Sequence, residues 1–341
     1  MFPISSDTAV QPCANARRTR VTGRPLQLVA PTVSLAEELR AALDGGSEAD
    51  LQALAHRAPA NRRDRLRTLT EIYRLHRAPI DVVGPAVRFQ SSPAVAAIKQ
   101  RCEADWLDEL SQAVPDELSG SPADTMRAIA ARDRLPVVYR WLAKEASWAE
   151  IVDFLALEGG PDADFDDLVA TCQVGLSGAA KMEMAVNYWD EMGNGDPDAV
   201  HTTLHTRMAD AIRMPRIDGE DLPTSAIART ALGGLLATNR SLHPESIGAL
   251  GLIELQAGPR CRLVLQAFER CGAPAAAYPF YRIHAEVDPR HGKDWIDNVV
   301  TPLVAERPEW GPRIVRGALW RSQVNAEFFA DADRLTRGAQ V

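Results

Sequence analysis

Long apolar runs are missing from this sequence of 341 residues, and their absence excludes two classes of protein. No stretch approaches the roughly 20 consecutive apolar residues that a membrane-spanning helix requires. Residues 1–31 contain no apolar segment of the length found in a secretory signal peptide. We therefore predict a cytoplasmic protein without a membrane partner.

Paired cysteines and a surplus of basic residues are missing too. The five cysteines are an odd number and include no Cys-x-x-Cys pair, which argues against a zinc ribbon or a framework of disulfide bonds. A reducing cytoplasm suits this pattern. The net charge is −8, with acidic and basic residues interspersed, whereas nucleic-acid-binding proteins usually carry a basic surplus. We predict no nucleic-acid partner.

Alternating β-type patterns are almost absent, with residues 26–33 as a short exception, and nearly every periodic segment indicates a helix. Ser-x-x-Glu capping boxes at Ser34 and Ser147 mark two helix starts. Prolines interrupt residues 78–93, which we interpret as a link between an N-terminal helical region and a larger helical domain. The predicted fold is all-α. The predicted helices cover residues 34–44, 47–58, 61–77, 93–112, 123–145, 147–158, 164–192, 197–213, 223–240, 244–271, 278–305 and 310–335.

The chemically most informative stretch contains His284, Asp288 and His291, at the spacing His-x3-Asp-x2-His. On a helix these positions fall on one face, so the three side chains point in the same direction. Helical bundles build iron and manganese sites from such histidines and carboxylates. A polar helix face with two surface histidines is the alternative interpretation. Pro289 predicts a kink in this helix.

A second candidate cluster combines Glu191 and His201 on either side of a turn. Gly193 and Gly195 predict the end of one helix, and the Asp-Pro pair that follows predicts the start of the next. A helix–turn–helix of this kind can bring both side chains toward a common point. A capped turn with incidental charges is the alternative, although it does not account for a histidine among apolar neighbours.

Glu158 and Glu254 are single carboxylates in otherwise apolar helical segments. Burying a lone carboxylate is costly unless it is paired or bound to a metal. Both residues are therefore candidate metal ligands. A buried ion pair with an arginine such as Arg260 or Arg262 is the alternative.

Together these residues form a set of candidate ligands that is too large for one metal ion and suits two. Two divalent ions would be neutralised by four carboxylates. Mixed nitrogen and oxygen ligands favour iron or manganese, and neither cluster contains the cysteines of an iron–sulfur centre. The predicted metal ligands are Glu158, Glu191, His201, Glu254, His284, Asp288 and His291.

With these motifs the chain resembles the heme-oxygenase-like diiron oxidases and oxygenases, also described as iron-containing redox enzymes. The resemblance covers about residues 85–337. The stretch from His284 to His291 resembles the motif on the family's third core helix, and Glu254 resembles the carboxylate on the helix before it.

Two further helices of the family pattern have counterparts in this chain. Glu191 with His201 resembles the pair on the second core helix, and Glu158 resembles the carboxylate on the first. Family members differ in where the carboxylate before the histidine lies. If Glu191 does not face the site, its neighbour Asp190 is the candidate ligand in its place.

The resemblance implies a heme-oxygenase-like helical bundle, without haem, at residues 85–337. A poorly ordered N-terminus (1–33) and a helical extension (34–84) would precede it. The extension is a candidate dimerisation region, which would make the protein a homodimer.

The implied cofactors are two iron ions, with manganese as the alternative, while O2 is the co-substrate and an external electron donor supplies reductant. The implied reaction oxidises a small organic substrate, by N-oxygenation of an amine or guanidine or by oxidative C–C cleavage or desaturation. The alternatives are a metal-independent or haem-binding enzyme on the same fold, and a non-catalytic helical interaction protein.

Several residues flank the predicted ligands. Tyr188, Trp189, Phe280 and Tyr281 are candidates for pocket walls, with ordinary core packing as the alternative. His205 lies one turn after a predicted ligand, and we expect it to be exposed.

Overall fold

The structure, a computed structural model, describes residues 33–112, 114, 120–159, 165–217 and 219–337. This part of the chain is helical and contains no strand, which confirms the predicted all-α fold. None of its helices is both long and apolar enough to cross a membrane. The α-helices are α1 (Leu35–Gly45), α2 (Glu48–Leu54), α3 (Arg62–Arg77), α4 (Ile80–Val83), α5 (Pro93–Gln112), α6 (Pro122–Arg132), α7 (Val137–Lys144), α8 (Trp148–Gly159), α9 (Phe165–Cys172), α10 (Gly178–Glu191), α11 (His201–Ala211), α12 (Thr224–Thr238), α13 (His243–Cys271), α14 (Tyr278–Asp294), α15 (Thr301–Glu306) and α16 (Trp310–Arg337).

Two predictions concern the N-terminus: poor order at residues 1–33 and a short β-type pattern at 26–33. Apart from Val33, these residues lie outside the part of the chain that the structure describes. The predicted link at 78–93 contains α4 and a 3₁₀ helix, Gly84–Ser91. A π-helical segment, Trp295–Val300, joins α14 to α15.

Two segments that were predicted as single helices are divided in the structure. Residues 123–145 form α6 and α7, because Pro136 has no N–H group for a helical hydrogen bond and restricts the residue before it. Residues 164–192 form α9 and α10, with a turn at Gly175 whose φ is 85°. The helix predicted from residue 197 begins only at His201. This boundary places the histidine at a helix N-terminus.

The N-terminal helices pack onto the rest of the bundle. Helices α1 and α3 contact each other, and α3 lies against α5 and α12 in a shared hydrophobic core. The capping box predicted at Ser34 does not form. The Ser34 hydroxyl donates instead to Asp64, whose carboxylate also accepts from the N–H groups of Leu35 and Ala36. The box at Ser147 does form, because the backbone N–H of Ser147 donates to a carboxylate oxygen of Glu150 at 2.7 Å.

Replacing Asp64 by alanine is expected to lower the free energy of unfolding by about 3 kcal/mol, because three backbone N–H groups would lose their acceptor. Chemical denaturation measures this change. The control is Asp105→Ala on the exposed face of α5, which we expect to change stability by less than about 0.5 kcal/mol. Equal stability of the two variants would show that the Asp64 cap is unimportant.

The pH dependence of the Asp64 effect has a definite sign. Burial raises the pKa of Asp64, but its hydrogen bonds from Ser34 and from three backbone N–H groups lower it more, to below the usual 3.8. Such a group stabilises the fold above its unfolded-state pKa, and the contribution is lost as pH falls through the native pKa. The stability difference between the native protein and Asp64→Ala should therefore be constant near neutrality and shrink below about pH 4.

Helix α13 runs through the centre of the molecule between α14 and α16. Glycines allow its close approach to α16. A Cβ atom at Gly248 would lie 1.8 Å from the carbonyl oxygen of Ile314, and one at Gly317 would lie 1.9 Å from that of Glu245. These backbone contacts set the position of α13, and therefore of Glu254, relative to the rest of the bundle.

Candidate metal centre

A buried cluster of carboxylates and histidines lies where α10, α11, α13 and α14 meet. It contains two groups of three residues whose candidate ligand atoms all lie within 4.8 Å of one another. One group is Glu191, His201 and His284, and the other is Glu191, Glu254 and His291. Glu191 belongs to both groups. A carboxylate has two oxygens, so this residue could contribute a ligand atom to each group.

The turn between α10 and α11 brings Glu191 and His201 together, as the predicted helix–turn–helix requires. Gly193 and Asn194 have φ angles of 62° and 53°, in the left-handed region. A Cβ atom at Gly193 would lie 2.6 Å from the carbonyl carbon of Ala199, so this position requires glycine. The result is a distance of 2.7 Å between His201 Nδ1 and Glu191 Oε2.

Helix α14 carries His284 and His291 two turns apart. The His284 Nδ1 atom lies 2.7 Å from the carbonyl oxygen of Phe280, and a carbonyl can only accept. The proton therefore resides on Nδ1, and Nε2 is left with a lone pair that could bind a metal ion. The rings of His284 and His201 are 4.5 Å apart between centroids.

Pro289 lies inside the continuous helix α14. Because proline has no N–H group, the carbonyl of Ala285 lacks its usual helical donor. Arg262 on α13 replaces that donor, with its Nη1 atom 2.6 Å from the Ala285 oxygen. Gly258 makes room for the proline, since a Cβ atom there would lie 3.0 Å from the ring. Arg262, considered from the sequence as an ion-pair partner for a glutamate, thus stabilises helix α14.

Hydrogen bonds from outside the second group orient its members. Asn187 donates to Glu254 Oε1 at 2.7 Å. His291 Nε2 lies 2.9 Å from Asp190 Oδ2, and its Nδ1 faces Glu254 Oε2 at 3.6 Å. Asp190 therefore contacts the His291 nitrogen that faces away from Glu254, and it does not replace Glu191 in the cluster. Asn187 was not singled out from the sequence, although it lies one turn before Glu191 on the same helix face.

Burial and the crowding of carboxylates shift pKa values in the cluster. Burial, and then the charges of Glu254 and Glu191, raise the pKa of Asp288 well above its usual range. Burial lowers the pKa of His291, but its contacts with Glu254 and Asp190 raise it more, to about 9. Neighbouring carboxylates contribute to both shifts, and a bound cation would offset their negative charge.

The donor atoms suit iron or manganese. His201 Nδ1, His291 Nδ1 and Asp288 Oδ2 are buried and have no hydrogen-bond partner among the described residues, since the His201–Glu191 contact lacks hydrogen-bond geometry. Unpartnered buried polar atoms are costly, and a metal ion would satisfy them. Neither group contains a cysteine, and nitrogen and oxygen donors without thiolate favour iron or manganese over zinc-type sulfur sites.

The structure brings five of the seven predicted ligands into the two groups. Asp288 lies outside both, but it is only 2% exposed and its charge interacts with Glu191 and Glu254. Glu158 also lies outside both groups, half-buried on α8, and accepts a hydrogen bond from the Tyr139 hydroxyl. Asp288 and Glu158 line one cavity with the cluster.

That cavity has a volume of about 180 Å³. His205, which was predicted to be exposed, is instead half-buried and lines it, with its ring centroid 5.0 Å from that of Phe280. Burial lowers the pKa of His205. The sequence signal is its position one turn after His201, on the same helix face. Phe280 and Tyr281 line the cavity, whereas Trp189 is 54% exposed.

The fold and the cluster define an all-α protein with a buried histidine–carboxylate site suited to metal ions. The chain belongs to the iron-containing redox enzyme family, which has the heme-oxygenase-like fold and whose sequence model matches residues 152–326. This finding confirms the predicted family and fold. The matched segment contains all seven predicted ligands.

The chain is also similar to a solved structure, the crystal structure of a CADD-like protein of unknown function from Nostoc punctiforme PCC 73102. The two sequences are 15% identical, and the match covers 70% of this chain and 97% of the other, with a TM-score of 0.44. No curated protein matches the chain.

Proposed function

We propose that this protein is a non-haem diiron oxidase or oxygenase that uses O2 to oxidise a small organic substrate. The reaction would be N-oxygenation of an amine or guanidine, or oxidative C–C cleavage or desaturation. The observation that carries the proposal is that Glu191 belongs to two neighbouring groups of candidate ligands. Membership of the iron-containing redox enzyme family supports iron as the metal.

The two groups that share Glu191 would each hold one ion, and Asp288 is a further buried carboxylate whose charge interacts with those of Glu191 and Glu254. When bound, two ferrous ions in such a site supply the electrons and open positions that O2 activation requires. An external electron donor would complete the proposed cycle. We further propose that manganese could occupy the same donor set.

The protein's own residues prepare the site. Asn187 orients Glu254, and Asp190 orients His291, through hydrogen bonds from outside the two groups. Such outer partners typically change metal affinity or activity by about 10–100-fold. Apolar side chains such as Val264 line the cavity beside these ligands and limit the access of water.

Anaerobic titration with Fe(II) tests the proposal. We expect close to two ions per chain, one for each group, and O2 consumption when a reductant is added. His284→Ala and His291→Ala should each remove about one ion, because each histidine belongs to one group. His56→Ala is the matched control, since His56 is exposed on a distant part of the chain.

Full retention of iron by both active-site variants would contradict the proposal. A native protein that binds no iron and consumes no O2 would favour the metal-independent enzyme or the interaction protein instead. Haem binding would be recognised by the intense Soret absorption of the porphyrin, which a diiron site without a porphyrin lacks.

A further inference from the structure

One wall of the cavity is built from arginines and not from the cluster of candidate metal ligands. Arg229 lies on α12, Arg260 on α13 and Arg321 on α16, and all three line the cavity. They are buried, with exposures of 6%, 9% and 4%. Arginine is almost never buried to this extent unless it binds an anion or a set of polar groups. Each of these guanidinium groups therefore needs polar partners inside the protein.

Arg260 is a buried cation whose hydrogen bonds go to neutral oxygens. Its Nη2 atom donates to the carbonyl of Asp133 and to the side chain of Gln256, both at 2.9 Å, and its Nε donates to the carbonyl of Arg134 at 3.3 Å. No ion pair joins it to a carboxylate of the described residues. Burial lowers the pKa of Arg260 to about 10, although the charge of Glu158 acts in the opposite direction. A bound anion would offset this cost of burial.

Asn325 adds an unsatisfied polar group to the same wall. It lies on α16, one turn after Arg321, is 6% exposed and lines the cavity. Its Oδ1 atom is buried and has no hydrogen-bond partner among the residues that the structure describes. Rotating the amide by half a turn presents an N–H donor at the same position. Asn325 and Arg260 can therefore each donate a hydrogen bond to a carboxylate that occupies the cavity, and the bond from the charged Arg260 would be the stronger.

The arginine wall is separated from the metal cluster by a distance that a small molecule can span. Arg260 follows Glu254 on α13 by six residues, which corresponds to about 9 Å along the helix axis. The cavity volume of about 180 Å³ is enough for on the order of ten water molecules. One occupant can therefore contact both ends.

We propose that Arg260 and Asn325 bind the carboxylate of the substrate and direct the other end of the molecule toward the metal cluster. The inference rests on the diiron function proposed above and narrows its substrate to small organic acids. The reacting group of such an acid is separated from its carboxylate by a short chain. Glu158, whose charge already acts on Arg260, favours a ligand with a single negative charge over a dianion such as phosphate.

Hexanoate and octanoate are suitable probes, with hexanamide and octanamide as their uncharged counterparts. Binding would be measured by ligand-observed NMR at constant ionic strength, on metal-free protein and on protein loaded with Fe(II) without O2. We expect the acids to bind at least about tenfold more tightly than the amides, as a charge-assisted hydrogen bond requires. Arg260→Gln should remove this preference. Arg282→Gln, at an exposed arginine on α14, should retain it.

Arg260 also donates a hydrogen bond to the backbone carbonyl of Asp133, so its replacement could disturb the fold. A second variant with a nearly unchanged side-chain shape is therefore needed. Asn325→Asp places a negative charge in the wall, and we expect it to weaken acid binding by at least about tenfold while amide binding stays the same. Circular dichroism would verify the fold of each variant. Equal binding of acids and amides to the native protein, or unchanged hexanoate affinity in Asn325→Asp, would overturn the inference.

Iron content measured on the same samples separates this inference from the diiron proposal. Two bound ions without a preference for acids would overturn the carboxylate site and leave the diiron proposal standing. A preference for acids that depends on Arg260, in a protein that binds no iron, would support the carboxylate site and contradict the diiron function.

Discussion

Glu191→Ala is expected to weaken iron binding at both positions by more than about 100-fold, because changes to residues that merely orient ligands already cost about 10–100-fold. Glu191 is the residue shared by the two groups, so its loss removes a donor from each. It is also only 4% exposed, and solvent cannot easily replace it. O2 consumption by reconstituted protein should fall to the background rate. Iron analysis after gel filtration measures the first effect and an oxygen electrode the second.

Glu158→Ala is the informative comparison for Glu191→Ala. Both variants remove one carboxylate from the cavity wall, but Glu158 lies outside the two groups. We expect Glu158→Ala to keep the iron content of the native protein. Equal loss of iron from the two variants would support Glu158 as a ligand, as the sequence predicts, and full retention by Glu191→Ala would refute a shared carboxylate.

Gly317→Ala should be the most damaging change outside the site, lowering the free energy of unfolding by about 4 kcal/mol or more. The new Cβ atom would lie 1.9 Å from the carbonyl oxygen of Glu245 and 2.6 Å from its Cα atom. Overpacking of movable side chains costs about 1–3 kcal/mol, and here both obstacles are backbone atoms of a buried helix. Helix α13 would have to shift, and it carries Glu254. Thermal and chemical denaturation, or loss of soluble protein on expression, would report the effect.

Gly45→Ala provides the matched control for Gly317→Ala. A Cβ atom at Gly45 would meet no other atom within 4 Å, and the residue lies in the last turn of α1. Alanine is favoured over glycine in a helix by up to about 1 kcal/mol, so this variant should be neutral or slightly more stable. Comparable destabilisation by both substitutions would mean that the α13–α16 contact can relax at little cost.

Helix α14 and its face of candidate ligands could be predicted from the sequence, because the pattern involves residues only a few positions apart. His284 and His291 are two turns apart, and residues at this spacing share a face of any helix. The turn after α10 is equally local, since Gly193 adopts a left-handed conformation that favours glycine. The boundary of α11 could not be predicted as well, because several residues after the turn can begin a helix with little difference in energy.

The choice between adjacent carboxylates is not local. Asp190 and Glu191 are neighbours on α10, and their sequence context permits either one to face the cluster. The packing of α10 in the bundle decides that Glu191 belongs to both groups and that Asp190 contacts Nε2 of His291. His205 illustrates the same limit, because its exposure depends on how α11 lies beside Phe280.

By itself, the sequence determined that the chain is helical, which residues can bind a metal, and which of them share a helix face, because these properties depend on residues only a few positions apart. Only the tertiary structure decided that Glu191 serves two groups and that Arg260 and Asn325 line one wall of the cavity. Those residues belong to separate helices, and the close approach of α13 and α16 through glycine brings the wall together. No periodic pattern within one helix encodes a contact of that kind, because it depends on the shapes of both partners.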